Sequence, residues 1–349
     1  MLCSLSVFES RDTSKHYCAA NYVGNCRHGK QPLRLSFLVM PSSARVGSTG
    51  TALVPVGSFG LPKPGGGERG LGIPNVIDRW VQQAVLQMLE PIFEPTFHDS
   101  SHGFRRGRGA QTAIAQARKH PASGHTTIVD INLAKFFDRV NHQRLLARLA
   151  QRVTDKRVLE LIGRMLKARV VLPEGTRVNT AEGTPQGGPL SPLLSNIVLD
   201  ELDWELHRRG LRFVRYADDA NIFVGSRSAG QRVMAAGQRF LEKRLRLFIN
   251  PEKSAVRRPQ EVHFLGFRFC RNKEEAWTVH LSHKTVERVE TRLKELTPRN
   301  WGQSLLACIK ERNRYIKGWV PAARACSANS SAPPRLPASV KAKALKPRR

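Results

Sequence analysis

Apolar residues fall at helical spacing from Ile77 to Leu89, where Ile77, Trp80, Val81, Ala84, Val85, Met88 and Leu89 share one face. This spacing predicts a helix that Asn75 or Asp78 can cap. Just upstream, Leu61-Pro62-Lys63-Pro64-Gly65-Gly66-Gly67-Glu68-Arg69 reads as a strand end and a tight glycine turn. The β-branched run from Thr126 to Ile131 predicts a strand. Leu145, Leu146 and Leu149 predict a helix from His142 onward. Gly183-Thr184-Pro185-Gln186-Gly187-Gly188-Pro189 fits no regular element. A helix then opens with Ser191 as N-cap and Pro192 in its first turn, its stripe formed by Leu194, Ile197, Val198, Leu202 and Leu206. Two short apolar runs, 213–216 and 221–224, flank an acidic turn and predict a hairpin. Charges and leucines alternate at helical spacing from Arg239 to Leu247, and 262–269 is strand-like. From Ser282 to about Trp319 the pattern is helical and basic.

The ends read differently. Residues 1–55 show no sustained apolar period and are expected to be an extension of uncertain order. Residues 321–349 carry seven Lys or Arg, no acid, and several Pro, Ser and Ala, which predicts a disordered basic tail. No internal repeat is visible. No apolar run approaches the ~18 residues of a membrane helix, and the start lacks the basic region of a secretory signal. A cytoplasmic protein without membrane association is expected. The six cysteines are scattered rather than dense, which argues for reduced thiols. Cys18, Cys26 and His28 have no second close pair to complete a zinc site.

Charge changes the picture. Lys plus Arg number 57 against 28 Asp plus Glu, a net charge of +29. A surface this basic is suited to a polyanion, with counterion release supplying affinity. It does not by itself separate an enzyme from a basic binding protein.

The chemistry concentrates at Asp218-Asp219. Adjacent carboxylates at a hairpin tip repel and add nothing to packing. A hard cation such as Mg²⁺ resolves that conflict, and two such ions can clamp an in-line phosphoryl displacement. A solvated acidic turn is the alternative, so the pair needs its context.

That context is Tyr216-Ala217-Asp218-Asp219 between two strands, which resembles the palm motif of reverse transcriptases of the group II intron-encoded type. Other blocks follow in the same order. Residues 61–79 resemble the first finger block. Phe104-Arg105-Arg106-Gly107-Arg108 resembles the second, with Arg106 where the family usually has Pro. Residues 130–142 resemble the block carrying the first acid, and 183–206 the Gly-Thr-Pro-Gln-Gly-Gly-Pro-Leu-Ser-Pro-Leu-Leu block. Residues 241–254 and Phe264-Leu265-Gly266 resemble the closing palm blocks, and Asn313-Arg314-Tyr315-Ile316-Lys317-Gly318-Trp319 the maturase thumb. The resemblance covers roughly residues 56–320.

It implies an α+β right-hand polymerase, with fingers over 56–125, an antiparallel-sheet palm over 126–270 and a partial helical thumb over 271–320. It implies two Mg²⁺ ions, dNTP, an RNA template, a DNA primer and a group II intron RNA as partners. By match, Lys63 and Arg69 grip the nucleotide triphosphate, Phe137 lies under its sugar and selects against a 2′-OH, and Gln186 lies beside it. Arg105 and Arg108 contact template phosphates.

One position departs. The family's first metal-binding Asp lies five residues before the sugar-facing ring, and counting back from Phe137 gives Asn132. An amide can coordinate a cation but brings no charge. Strand periodicity puts Asp130 on the face of Asn132, so Asp130 is a second candidate ligand. The expectation is an RNA-directed DNA polymerase impaired by Asn132. The alternatives are a non-catalytic RNA-binding maturase and a degenerate remnant. Residues 1–55 do not match the family's usual start, and the family's pattern stops at Trp319, which fits a decayed or fragmentary copy.

Overall fold

The computed structural model describes residues 56–327, apart from 63–67, 169, 172–176, 179–181, 185–186, 273–275, 298–301 and 303. Strands β1 (Val56–Pro62) and β2 (Glu68–Ile73) form a hairpin that pairs Leu61 with Arg69. Helix α1 (Val76–Phe93) follows, capped by the Asn75 side chain on the Asp78 N–H. Helix α2 (Ala110–Ala122) leads to β3 (Thr127–Asn132). Then come α3 (His142–Ala150), α4 (Lys156–Leu166) and the short strands β4 (Val170–Val171) and β5 (Arg177–Val178). Helix α5 (Ser191–Arg208) precedes the hairpin β6 (Arg212–Tyr216) and β7 (Asp219–Val224). After α6 (Arg227–Phe240) come β8 (Ala255–Arg257), β9 (Phe267–Arg271), β10 (Trp277–Leu281), α7 (His283–Glu295) and α8 (Leu305–Ser327).

The central sheet has the order β6-β7-β3-β8 and is antiparallel throughout. It is buried on both faces. Val129, Ile131, Phe213 and Ile222 join a core with α1, α3, α4 and α5. Their neighbours Ile128, Val214 and Phe223 join a second core with Ala113, Ile114 and Ala117 of α2 and with Phe269 and Val279 of the β9–β10 pair. Two covered faces explain why these strands read as continuous apolar runs.

Several expectations are corrected. On α1, Ile77, Trp80 and Met88 are exposed, whereas Asp78, Gln82, Val85, Leu89 and Phe93 are buried. The apolar stripe is wider than the core needs, and the helix turns polar Gln82 inward toward the backbone of Gly188. Helix α5 starts with Leu190 as N-cap, without a side-chain cap bond, and Ser191 is its first residue. The leucine-rich run after Arg239 closes α6 with a π-helical turn, Leu241–Leu245, ended by Arg246 at φ 55°. Residues 262–266 turn rather than extend, through Leu265 at φ 52° and Gly266 at φ 89°, and the strand starts at Phe267. Helix α8 runs to Ser327, past Trp319 and into the stretch expected to be disordered, where Ala322, Ala323 and Ala325 favour helix. Cys18, Cys26 and His28 lie outside the described residues.

Candidate active site on the β6–β7 hairpin

The hairpin turn is Ala217-Asp218, with Tyr216 paired to Asp219. Ala217 sits at φ 56°, a conformation that strains a residue with a Cβ. Its surroundings hold it there. Arg215 donates from Nη1 to the Ala217 carbonyl at 2.8 Å. Gly103 lies so close that an added Cβ would stand 2.3 Å from the Ala217 nitrogen.

Arg215 is itself 1% exposed, and its guanidinium is fully engaged. Nε and Nη2 clasp Asp203 of α5 at 2.8 and 2.6 Å. Nη1 also reaches Asn196 Oδ1 at 3.1 Å, and Nη2 reaches Ser101 Oγ at 2.7 Å. Asn196 in turn donates to the Gly103 carbonyl at 2.9 Å. A charge can be buried this deeply only when paired and hydrogen-bonded. The sequence motifs do not mark Arg215, Asp203, Asn196 or Gly103 as site residues. The available signal was an arginine inside an apolar strand run, and an aspartate inside the apolar pattern of α5.

Asn132 ends β3 directly opposite Asp219, and its Nδ2 donates to Asp219 Oδ1. The strand end is clasped from behind. Asn132 N–H donates to Ser254 Oγ at 2.9 Å, and the Asn250 N–H donates to the Asn132 carbonyl at 2.8 Å. Burial pushes the Asp219 carboxyl up to about 6; Asp218 adds to this, while the Asn132 hydrogen bond and Lys253 oppose it. Burial and then Asp219 push Asp130 up to about 7, against Arg257 and Lys284.

The donor set defines what the site can hold. Asp218 and Asp219 offer hard oxygens suited to one Mg²⁺. Asn132 presents its N–H, not a charge, to the carboxylate it faces. Asp130 is the weaker candidate, since its carboxylate already pairs with Arg257 at 3.9 Å. Among the described residues no three His, Cys, Asp or Glu side chains gather where they could hold a metal. The oxygen donors gathered at this turn are thus the Asp218 and Asp219 carboxylates, with an amide at position 132.

Phe137 lies half-buried in a helical turn, edge-on to Phe136 at 5.2 Å. Its carbonyl accepts from the Thr184 N–H at 2.6 Å, and Gly183 N–H donates to the Val140 carbonyl at 2.8 Å. Gly183 at φ 94° has no room for a Cβ, which would stand 2.8 Å from the Phe137 oxygen. At the far end of that loop Gly187, at φ 124°, approaches the Gly72 carbonyl of β2. The loop thus bridges Phe137 and the fingers hairpin. Arg69 lies on β2. Lys63 and Gln186 lie outside the described residues.

The two finger arginines divide. Arg105 is turned into the protein, away from the solvent-facing position a template contact implies. Its side chain is 4% exposed, pairs with Glu94 at 2.8 Å and donates to the carbonyls of His98 and Ser101. It stitches the turn after α1, a correction that burial alone could reveal. Arg108 is partly exposed and held by Asp99 at 2.7 Å.

A sequence model of the reverse transcriptase (RNA-dependent DNA polymerase) family matches residues 61–269. Protein YkfC of Escherichia coli strain K12 is 31% identical over 288 residues, covering 71% of this chain and 73% of that protein. The group II intron-encoded protein LtrA of Lactococcus lactis subsp. cremoris is 40% identical over 147 residues, 42% of this chain but 24% of LtrA. The chain belongs to the reverse transcriptase family, in its group II intron-encoded branch. Apo telomerase from Candida tropicalis shares the fold at TM-score 0.54 and 13% identity, over 86% of this chain and 62% of that one. The fold is accordingly the α+β right-hand polymerase. Among the described residues no helix is long and apolar enough to cross a membrane.

Proposed function

We propose that this chain holds a primer on an RNA template as group II intron reverse transcriptases do, and that its dNTP-dependent polymerisation is impaired by Asn132. The observation that carries this reading is the cross-strand pair in which the Asn132 amide donates to Asp219. Asp218 and Asp219 would hold Mg²⁺, which when bound supplies electrostatic stabilisation to the phosphoryl transfer. Phe137 sets the sugar's seat and the Gly183–Gly188 loop lets backbone approach the nucleotide. Lys63, Arg69 and Gln186 are proposed to position the triphosphate and base, and Arg108 a template phosphate. The family's second ion is proposed to be weakly held here, because the carboxylate expected at position 132 is an amide.

The second reading is a non-catalytic maturase that binds intron RNA. The same Asn132–Asp219 bond favours it, since it gives one carboxylate oxygen a hydrogen-bond partner without a metal, and the charge of +29 suits a folded RNA. Primer extension on RNA by the full chain, beside Asn132→Asp and Asp218→Ala, separates the two. A gain of roughly 100-fold for Asn132→Asp is expected, about 2.7 kcal/mol of transition-state stabilisation. Asp218→Ala should abolish extension in either background. Equal rates for the natural chain and Asn132→Asp would sink the impaired-polymerase reading. A splicing assay run in parallel, unaffected by Asp218→Ala, would favour the maturase.

A further inference from the structure

Away from the hairpin, the end of α1, the end of α3, α5 and the π-helical turn after α6 enclose a cleft of about 680 Å³. Its floor is one stripe of α5, Ile197, Asp200, Glu201, Trp204 and Arg208. The neighbouring stripe, Asn196 and Asp203, holds Arg215. One helix therefore serves the catalytic turn and, separately, this cleft.

The cleft has the two features that single-stranded nucleic acid requires. The first is an aromatic surface held in place before any ligand arrives. Trp204 is 41% exposed in a structure whose other large apolar groups are mostly buried. Its indole N–H donates to the Thr96 carbonyl at 3.2 Å, and its ring meets His98 and His207 nearly perpendicularly at 5.2 and 5.4 Å. The second is uncompensated positive charge. Arg148 is committed to Asp200 and Glu201, at 3.3 and 3.4 Å, and Arg208 to Glu205. Arg152 and Arg244, both exposed on the rim, have no ion-pair partner among the described residues.

We propose that this cleft binds single-stranded RNA, with one unstacked base on Trp204 and flanking phosphates on Arg152 and Arg244. Stacking is tolerant of base identity, and paired arginines follow a backbone. The cleft would grip template or intron RNA outside the polymerising channel. This inference needs RNA as a partner but not polymerisation, so it stands or falls apart from the reading of Asn132.

The test is the affinity of the full chain for a short single-stranded RNA carrying 4-thiouridine, measured across a salt series and by photo-crosslinking. The double variant Arg152→Glu, Arg244→Glu should bind at least tenfold more weakly. Its salt slope should be shallower by about 1.4, two phosphates at ~0.7 each. Trp204→Ala should lose about tenfold. Trp204→Phe should keep most of the affinity, since it keeps a stacking face while losing the bond to Thr96. Crosslinks should map to the peptide containing Trp204. Unchanged affinity in the double variant overturns the proposal. So does equal loss in Trp204→Phe and Trp204→Ala, which would mark a packing role. Competition by a free mononucleotide as effective as the RNA itself would assign the cleft to a soluble nucleotide and also overturn it.

Discussion

Asp203 and Asp219 both serve the same hairpin turn, and they illustrate opposite solutions to burying a carboxylate. Asp203 is the more deeply buried, at 0% exposure of its side chain, yet both its oxygens meet the Arg215 guanidinium. Asp219 is less buried, yet burial first and the Asp218 carboxylate second raise its affinity for a proton, with only the neutral Asn132 amide and Lys253 opposing. Burial costs a carboxylate in both places, and at Asp203 a hydrogen-bonded guanidinium offsets that cost. The first arrangement fixes shape. The second leaves an unmet demand for a cation.

The sharpest way to break the comparison is to remove one member of the satisfied pair. Asp203→Ala leaves the guanidinium buried and unpaired, and should cost about 3–5 kcal/mol in denaturant unfolding. Adding Arg215→Met should recover most of that loss, because an apolar pair of similar volume tolerates the same site. Failure of the double variant to recover would mean that the bond to the Ala217 carbonyl, not the ion pair, dominates.

The unsatisfied side responds to charge and metal together. Asn132→Asp exchanges a hydrogen-bond donor for a like charge, and without divalent ions should lower stability by about 2 kcal/mol. Millimolar Mg²⁺ should restore it, read as a rise in melting temperature larger than in the natural chain. Gly103→Ala tests the backbone beneath the turn. Its Cβ would meet Ala217 at 2.3 Å, and overpacking of this kind costs about 1–3 kcal/mol.

The smallest effect concerns Asp200, a third pattern, in which burial first and Asp203 second push the carboxyl up to about 6 while Arg148 opposes. Its folded pKa lies above the ordinary carboxylate value, so the folded state holds the proton more tightly than the unfolded state. Stability from this group is present at low pH and lost as pH rises from about 4 through about 6. Asp200→Asn should flatten that part of the unfolding profile.

Much of this was legible in the chain. Asn75 caps the helix it precedes, and the apolar runs around Asp218 form the hairpin with its pairing intact. Patterning works there because local hydrogen bonds and alternation decide the outcome. Arg105 and Arg215 show where it stops. In sequence Arg105 resembles a template contact and Arg215 interrupts an apolar strand run, and only tertiary packing tells that both are buried and spent on internal partners. Likewise Trp80 and Val85 share an apolar stripe, yet one is 78% exposed and the other 7%. The core accepts only part of the face that the spacing allows.

Arg215 also has a consequence for how the chain assembles. Its side-chain partners Ser101, Asn196 and Asp203 all precede it in the chain and come from two separate stretches, the turn at Ser101 and helix α5. A guanidinium sheds its water at a loss until every partner is in place. The geometry of the acidic hairpin therefore depends on two distant stretches at once, the turn at Ser101 and Gly103 and the helix α5.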